Sequence, residues 1–197
     1  VAFANKLDSL FTLPSIIEGD NVSPDISGLI GQYAQGNEPS HHVAYLYNYT
    51  DTPYKTQYYV DRIRRELYTD RPDGICGNED CGQMSAWYIF SAMGFYPVCP
   101  GSNQYVLGTP YFNKVTLHLE NGNTMTIKAE GNSRSNRYID SMTLNGKTYT
   151  KNYLTHADIM KGGSIVCAMS AEPNRSRGTQ EADFPYSFTN EMTGSEK

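Results

Sequence analysis

The spacing of apolar positions changes once along the chain, near residue 100. In "DTPYKTQYYVDRIRRELY", Tyr59, Ile63 and Leu67 recur every four residues, which is one buried face of a helix. Thr52 reads as its N-cap and Pro53 as its first helical position. "CGQMSAWYIFSAMG" places Met84, Trp87, Tyr88 and Ser91 on one stripe, and Gly94 ends it as a left-handed C-terminal cap. "NEPSHHVAYLYNYT" has Val43, Leu46 and Tyr47 at helical spacing. "FANKLDSLF" is a short helix or the end of one, and "EGDNVSPDISG" is a turn cluster.

From about residue 101 the period is two. "KVTLHLENGNTMTIKA" alternates Val115, Leu117, Leu119 and then Met125, Ile127, Ala129, with Asn121-Gly122 between the runs as a hairpin signal. "SMTLNGKTYT" repeats the device at Asn145-Gly146, and "GGSIVCAMS" is a further apolar strand. An antiparallel sheet with one wet face is expected here. The fold class is α+β, with helices over 1–100 and an antiparallel β unit with a polar C-terminal tail over 101–197. The boundary falls near "CPGSNQY".

Composition narrows the function. Apolar residues at 39% allow a real core, and sixteen tyrosines suit half-wet clefts. A net charge of −5 without a Lys/Arg run speaks against nucleic acid as partner. No apolar run reaches the roughly 18 residues of a membrane span. The chain opens at Val1 with no signal peptide, as expected of a processed or excised piece. Cys76, Cys81, Cys99 and Cys167 match no zinc spacing, and adjacent His41 and His42 diverge on a helix. A Cys76–Cys81 disulfide and free thiols both stay open. Sequons at Asn21, Asn48 and Asn174 carry no weight, since they arise by chance.

Two loops carry acids directly before apolar helices, "GNEPSHH" at 36–42 and "GNEDCGQMSAW" at 77–87. Helical hairpins pointing such loops to one end suit an α/α toroid with a polar pocket. Sugar hydrolysis needs one carboxyl group to protonate the leaving oxygen and another to activate water. A structural account competes with it. Asp80 fits an N-cap, Gln83 completes a capping box, and Glu38 sits well near a helix N-terminus. A third account is a calcium loop, because Asn37, Glu38, Asn78, Glu79 and Asp80 all offer hard oxygens, although EF-hand spacing is missing. Trp87, a turn or more into its helix, reads as core packing.

"GNEPSHHVAYLYNY", "PDGICGNEDCGQMSAWYIFSAMGFYPVCPG" and "YVLGTPYFNKVTLHLENGNTMTIKAEGNSRSNRYIDSMTLNGK" closely resemble the calcium-dependent exo-α-mannosidases of glycoside hydrolase family 92. The resemblance runs through nearly the whole chain. It implies an N-terminal β-sandwich joined to an (α/α)6 barrel, with strands trailing at the C-terminus as a sandwich-like unit. It implies inverting removal of terminal mannose, often α-1,2-linked, from glycans, by bacterial enzymes exported to the periplasm or cell surface. Through it, Asp80 corresponds to the general base, with Glu79 and Asn78 beside it. Asn37 and Glu38 correspond to the mannose and calcium pocket, and His41 joins the substrate-binding side. One departure is large. The family's general acid lies in an "EGN-x-W-Q-Y"-type stretch upstream, and nothing like it occurs here. The chain is then expected to be the C-terminal third or less of the enzyme. Its partners would be a mannose-containing glycan and the remaining parent chain. Alone it should be inactive, bind calcium weakly, and expose Tyr59, Ile63, Leu67 and Met84. A non-catalytic carbohydrate-binding module and a barrel glycosidase of other specificity are the alternatives.

Overall fold

The computed structural model describes residues 2–23 and 26–189. The expected loose tail at 190–197 and two positions of the "EGDNVSPDISG" turn cluster lie outside those residues.

Helix α1 (Ala2–Thr12) leads to two short paired strands, β1 (Leu29–Ile30) and β2 (Tyr33–Ala34). Helix α2 spans Tyr54–Leu67 and α3 spans Gln83–Met93. Phe11 of α1 stacks on Tyr59 and Tyr33, with ring centroids 4.0 and 5.0 Å apart. This packing reverses one expectation. Tyr59 and Ile63 are buried and Leu67 is half-buried in one cluster with residues of α1 and the 29–34 hairpin, and Met84 is buried as well.

Three local expectations change as well. Helix α2 begins one residue late, with Pro53 at the N-cap position, and the Thr52 hydroxyl pairs with Thr50 Oγ1 instead of a helix N–H. Residues 38–49 form 3-10 turns, Glu38–Ser40 and Val43–Tyr49, where an α-helix was expected. Asn48 Nδ2 and Thr50 Oγ1 each donate to the carbonyl three residues back, Tyr45 and Tyr47, and so hold the tighter winding. Gly94 does take the left-handed C-cap position, at φ 103, with its N–H on Phe90 and Ser91.

The chain continues through β3 (Phe95–Tyr96), β4 (Gln104–Leu107), β5 (Lys114–His118), β6 (Thr124–Glu130), β7 (Tyr138–Leu144), β8 (Lys147–Thr148), β9 (Tyr153–Thr155), α4 (His156–Lys161) and β10 (Gly163–Ser170). One sheet has the order β5-β6-β10-β7-β8 and a second has β3-β4-β9. The expected purely antiparallel unit is mixed: β10 runs parallel to β6, since α4 and the β7–β9 strands intervene and return the chain in the same sense. Along β6 the alternation holds, with Met125, Ile127 and Ala129 buried. On the edge strand β5, Val115 and Leu117 are only half-buried, as is Leu119 just beyond it. Asn145 and Gly146 both have positive φ, 51 and 77, the two-residue turn their sequence predicts. Asn121-Gly122 instead lies in a longer turn, because pairing ends at His118 and Thr124.

The helical and strand regions interlock. Asn48 Nδ2 donates to Leu107 O, Gln57 Oε1 accepts from Ile139 N, and Arg64 donates to Thr109 O. All four cysteines are free thiols. Asn48 is 2% exposed with its amide bonded to three acceptors, so it is closed to glycosylation in the folded chain.

Candidate active site

The two acidic loops meet. Gly77, at φ 83, packs so closely on Gly36 that a Cβ there would stand 2.7 Å from the Gly36 carbonyl oxygen. The contact brings the Glu38 and Asp80 carboxyl groups together, and Glu38 raises the Asp80 pKa from its ordinary value, by hydrogen bonding first and by like charge as well. Asp80 is exposed on the loop and Glu38 is half-buried.

Asp80 does not cap α3, and the capping box with Gln83 is not formed. The N-cap position belongs to Gly82 in the left-handed region, Asp80 itself has φ 47, and no side chain at the N-cap position bonds a helix N–H. The neighbour takes over that role. Glu79 accepts from Ser85 N at 2.9 Å and Ser85 Oγ at 2.7 Å, and these bonds lower its pKa. The loop thus separates its carboxylates: Glu79 is tied down while Asp80 is presented. The Glu38 carboxyl pushes the Asp80 pKa up and so disfavours its ionised form.

His41 lies beneath the loops, 2% exposed. Its Nε2 donates to Gln35 O at 3.0 Å, and Gln83 Nε2 donates to its Nδ1 at 3.1 Å. Burial lowers its pKa and keeps the ring neutral. Expected at the substrate surface, it instead ties the first loop to α3, with both nitrogens engaged. Gln83 also reaches Tyr96 OH, and Trp87, fully buried as expected, donates from Nε1 to His41 O at 2.9 Å. Gln35 extends the network by donating to Tyr68 OH and accepting from Tyr33 OH. Neither Gln35 nor Tyr96 was singled out from sequence. The signal was present in the repeated Gly-Asn-Glu at 36–38 and 77–79, which marks two backbones in close approach.

Asn37 stands half-buried at the N-cap position of the Glu38–Ser40 turn, and Asn78 is exposed. With Glu38 and Asp80 they offer the hard oxygens calcium takes. The donor type fits, but the number falls short. Among the described residues no three His, Cys, Asp or Glu side chains gather as a metal site, where calcium takes about six to eight oxygens. Among the same residues no helix is long and apolar enough to cross a membrane.

Comparison with known proteins supplies the family. An uncharacterized secreted glycosidase of Arthroderma benhamiae is 34% identical over 156 residues, 78% of this chain and 20% of its own length. A family GH92 α-mannosidase of Bacteroides thetaiotaomicron, solved in complex with mannoimidazole, matches with a TM-score of 0.89 at 43% identity, over 94% of this chain and 24% of that one. A family GH92 inverting mannosidase of the same organism matches with a TM-score of 0.81 at 44% identity, over 94% and 26%. The chain therefore spans between 20% and 26% of the length of these relatives. Its residues 1–171 match the glycosyl hydrolase family 92 catalytic domain, and the chain belongs to that family.

Proposed function

We propose that the chain forms the base side of an inverting α-mannosidase that removes terminal, α-1,2-linked mannose from glycans. The observation that carries this reading is the meeting of the two loops, which presents Asp80 against Glu38. Similarity to solved mannosidases, one of them described as inverting, supports the sugar and the stereochemistry.

In this mechanism Asp80 takes a proton from water as the water oxygen bonds to the anomeric carbon. The glycosidic bond breaks on the opposite face, and the leaving oxygen is protonated by a general acid carried elsewhere in a longer parent chain. The raised Asp80 pKa brings the base closer to neutrality and makes it the better proton acceptor. Glu79 holds the loop through Ser85, and His41 positions it through Gln83. Asn37, Glu38 and Asn78 receive sugar hydroxyls. If calcium is bound, Asn37 and Glu38 would hold part of it, and the ion would supply Lewis-acid polarisation at the site. The rest of the parent, an N-terminal β-sandwich and the earlier helices of an (α/α)6 barrel, completes the pocket. A periplasmic or extracellular setting follows, supported by the relative described as secreted.

The test is product stereochemistry. The longer enzyme is given an α-1,2-mannobioside and followed by proton NMR from the first turnover. β-Mannose is expected first. Initial α-mannose would overturn inversion, and absence of mannose release while another glycoside is cleaved would overturn the substrate.

A further inference from the structure

A second concave surface of about 740 Å³ lies along α2 and α3 and touches the acidic loops only at Ser85. Arg64, Arg65, Tyr68, Tyr88, Tyr111 and Arg134 form half of its wall. Its charge is out of balance. Arg64, Arg65 and Arg137 all converge on one carboxylate, Asp61, at 3.4, 2.8 and 3.3 Å. One carboxylate neutralises one guanidinium. Arg134 adds a fourth and makes no ion pair among the described residues. Asp70 is the acid on the wall, and Glu79, at the Ser85 edge, is held by Ser85. Positive charge is therefore concentrated here in a chain whose net charge is −5.

Part of this charge is softened locally. Arg64 donates to the carbonyls of Ser91 and Thr109, at 2.7 and 2.9 Å. The Tyr111 ring lies under Arg64 and Arg65, at 5.3 and 4.9 Å. Carbonyl dipoles and a ring face do not neutralise a formal charge, however. Arg64 is fully buried and its Nε has no hydrogen-bond partner. Burial also pushes its pKa down, the mark of a cation short of compensation. Arg65 spends its Nε on Asp61 and presents the two terminal nitrogens of a planar fork, the geometry that matches phosphate and carboxylate.

We infer that this pocket binds an oxoanion, a phosphate or carboxylate group, held by Arg65 and Arg134 beside the rings of Tyr88 and Tyr111. The site does not depend on the proposed hydrolysis, and its ligand is either a free anion or an anionic group borne on a sugar.

Thermal melts of this chain with inorganic phosphate test it, against chloride at matched ionic strength. At phosphate ten times its Kd, Tm should rise by about 3–6 °C. Arg134→Ala, at an exposed position without an ion pair, should weaken phosphate binding about tenfold with the ligand-free Tm unchanged. A hexose 6-phosphate that binds tighter than phosphate supports a sugar-borne anion, and equal binding supports a free one. Three results would overturn the inference: a phosphate shift no larger than that of chloride, phosphate affinity unchanged in both Arg134→Ala and Arg65→Gln, or an equal shift from mannose alone.

Discussion

Strand β6 and the loop from Gly77 to Gly82 hold their shapes by opposite means. In β6 every second residue is buried and both edges are paired, with β5 on one side and β10 on the other. Its conformation is the ordinary one for its residues. In the loop, Asp80, Cys81 and Gly82 lie consecutively at φ 47, 58 and 92, in a region that non-glycine residues seldom occupy. Gly82 takes that region freely and Asp80 tolerates it, but Cys81 has no local reason to. The run is held from outside, by Ser85 on Glu79, Gly36 on Gly77 and Glu38 at Asp80. Backbone of this kind persists where the surroundings over-determine it, and such places are where a side chain can be fixed and exposed at once. The strand region spends its contacts on stability, and the loop spends them on presenting one carboxylate.

The comparison breaks most visibly at Asp80. In the longer enzyme, Asp80→Asn should lower kcat by about 10²–10⁴ without lowering Tm. Asn tolerates the left-handed region, and the side chain caps no helix, so the fold has little to lose. Retention of more than about a tenth of kcat would remove Asp80 from the base role. Ile127→Ala is the counterpart in the strand region. Ile127 is 3% exposed, and its truncation should cost about 2–5 kcal/mol in chemical denaturation. In the surviving folded chain the Asp80 carboxyl should still titrate as in wild type; a displaced titration would show the two regions to be coupled.

The same contrast explains what the sequence could carry. Period located β5 and β6, because one buried face is decided by neighbours two residues away, while the Asn145-Gly146 turn marked β7 and an apolar run marked β10. Period also located α2 and α3, whose stripes repeat within one or two turns. The parallel pairing of β10 with β6 escaped because pairing partners leave no local trace. Thr155 and Asp158 form a capping box on α4 that "THAD" spells out and that went unread. In the site, the two acidic loops were legible as composition. Their meeting at Gly36 and Gly77, the transfer of helix capping from Asp80 to Glu79, and the burial of His41 were not. The meeting and the burial depend on residues roughly forty positions apart, beyond the reach of any spacing rule, and Glu79 caps through Ser85, six residues on, outside the capping-box spacing.

A pair of glycines sharpens the point. Gly77 and Gly122 have nearly the same backbone, φ 83 and 82. Alanine at either position suffers the left-handed penalty of about 1–2 kcal/mol. At Gly122 nothing lies within 4 Å of the new methyl, whereas at Gly77 it meets the Gly36 carbonyl oxygen. Overpacking of that kind adds about 1–3 kcal/mol. Gly77→Ala should therefore be the more destabilising by at least about 1 kcal/mol in urea. Equal losses would mean that the loops are not in contact in solution.

The smallest effect is the most specific, because it reads the carboxyl pair directly. Asp80 has its pKa raised by Glu38, so the folded chain disfavours its charged form. The penalty is absent below the ordinary carboxylate range, grows as pH rises through the raised value, and is full above it. Glu79 has its pKa lowered by the Ser85 amide and hydroxyl, so its contribution is full above the ordinary value and is lost as pH falls through the lowered one. Acidification should then relieve the Asp80–Glu38 repulsion first and release Glu79 later. Glu38→Gln removes only the first step. In that variant the Asp80 carboxyl, followed by carbon-13 NMR, should titrate at lower pH than in wild type. Its Tm should exceed the wild-type value near neutral pH and converge with it near about pH 3, where the carboxylates are protonated in both. An Asp80 midpoint that does not move when Glu38 is replaced would separate the two loops, and with them the feature that distinguishes this region from the strands.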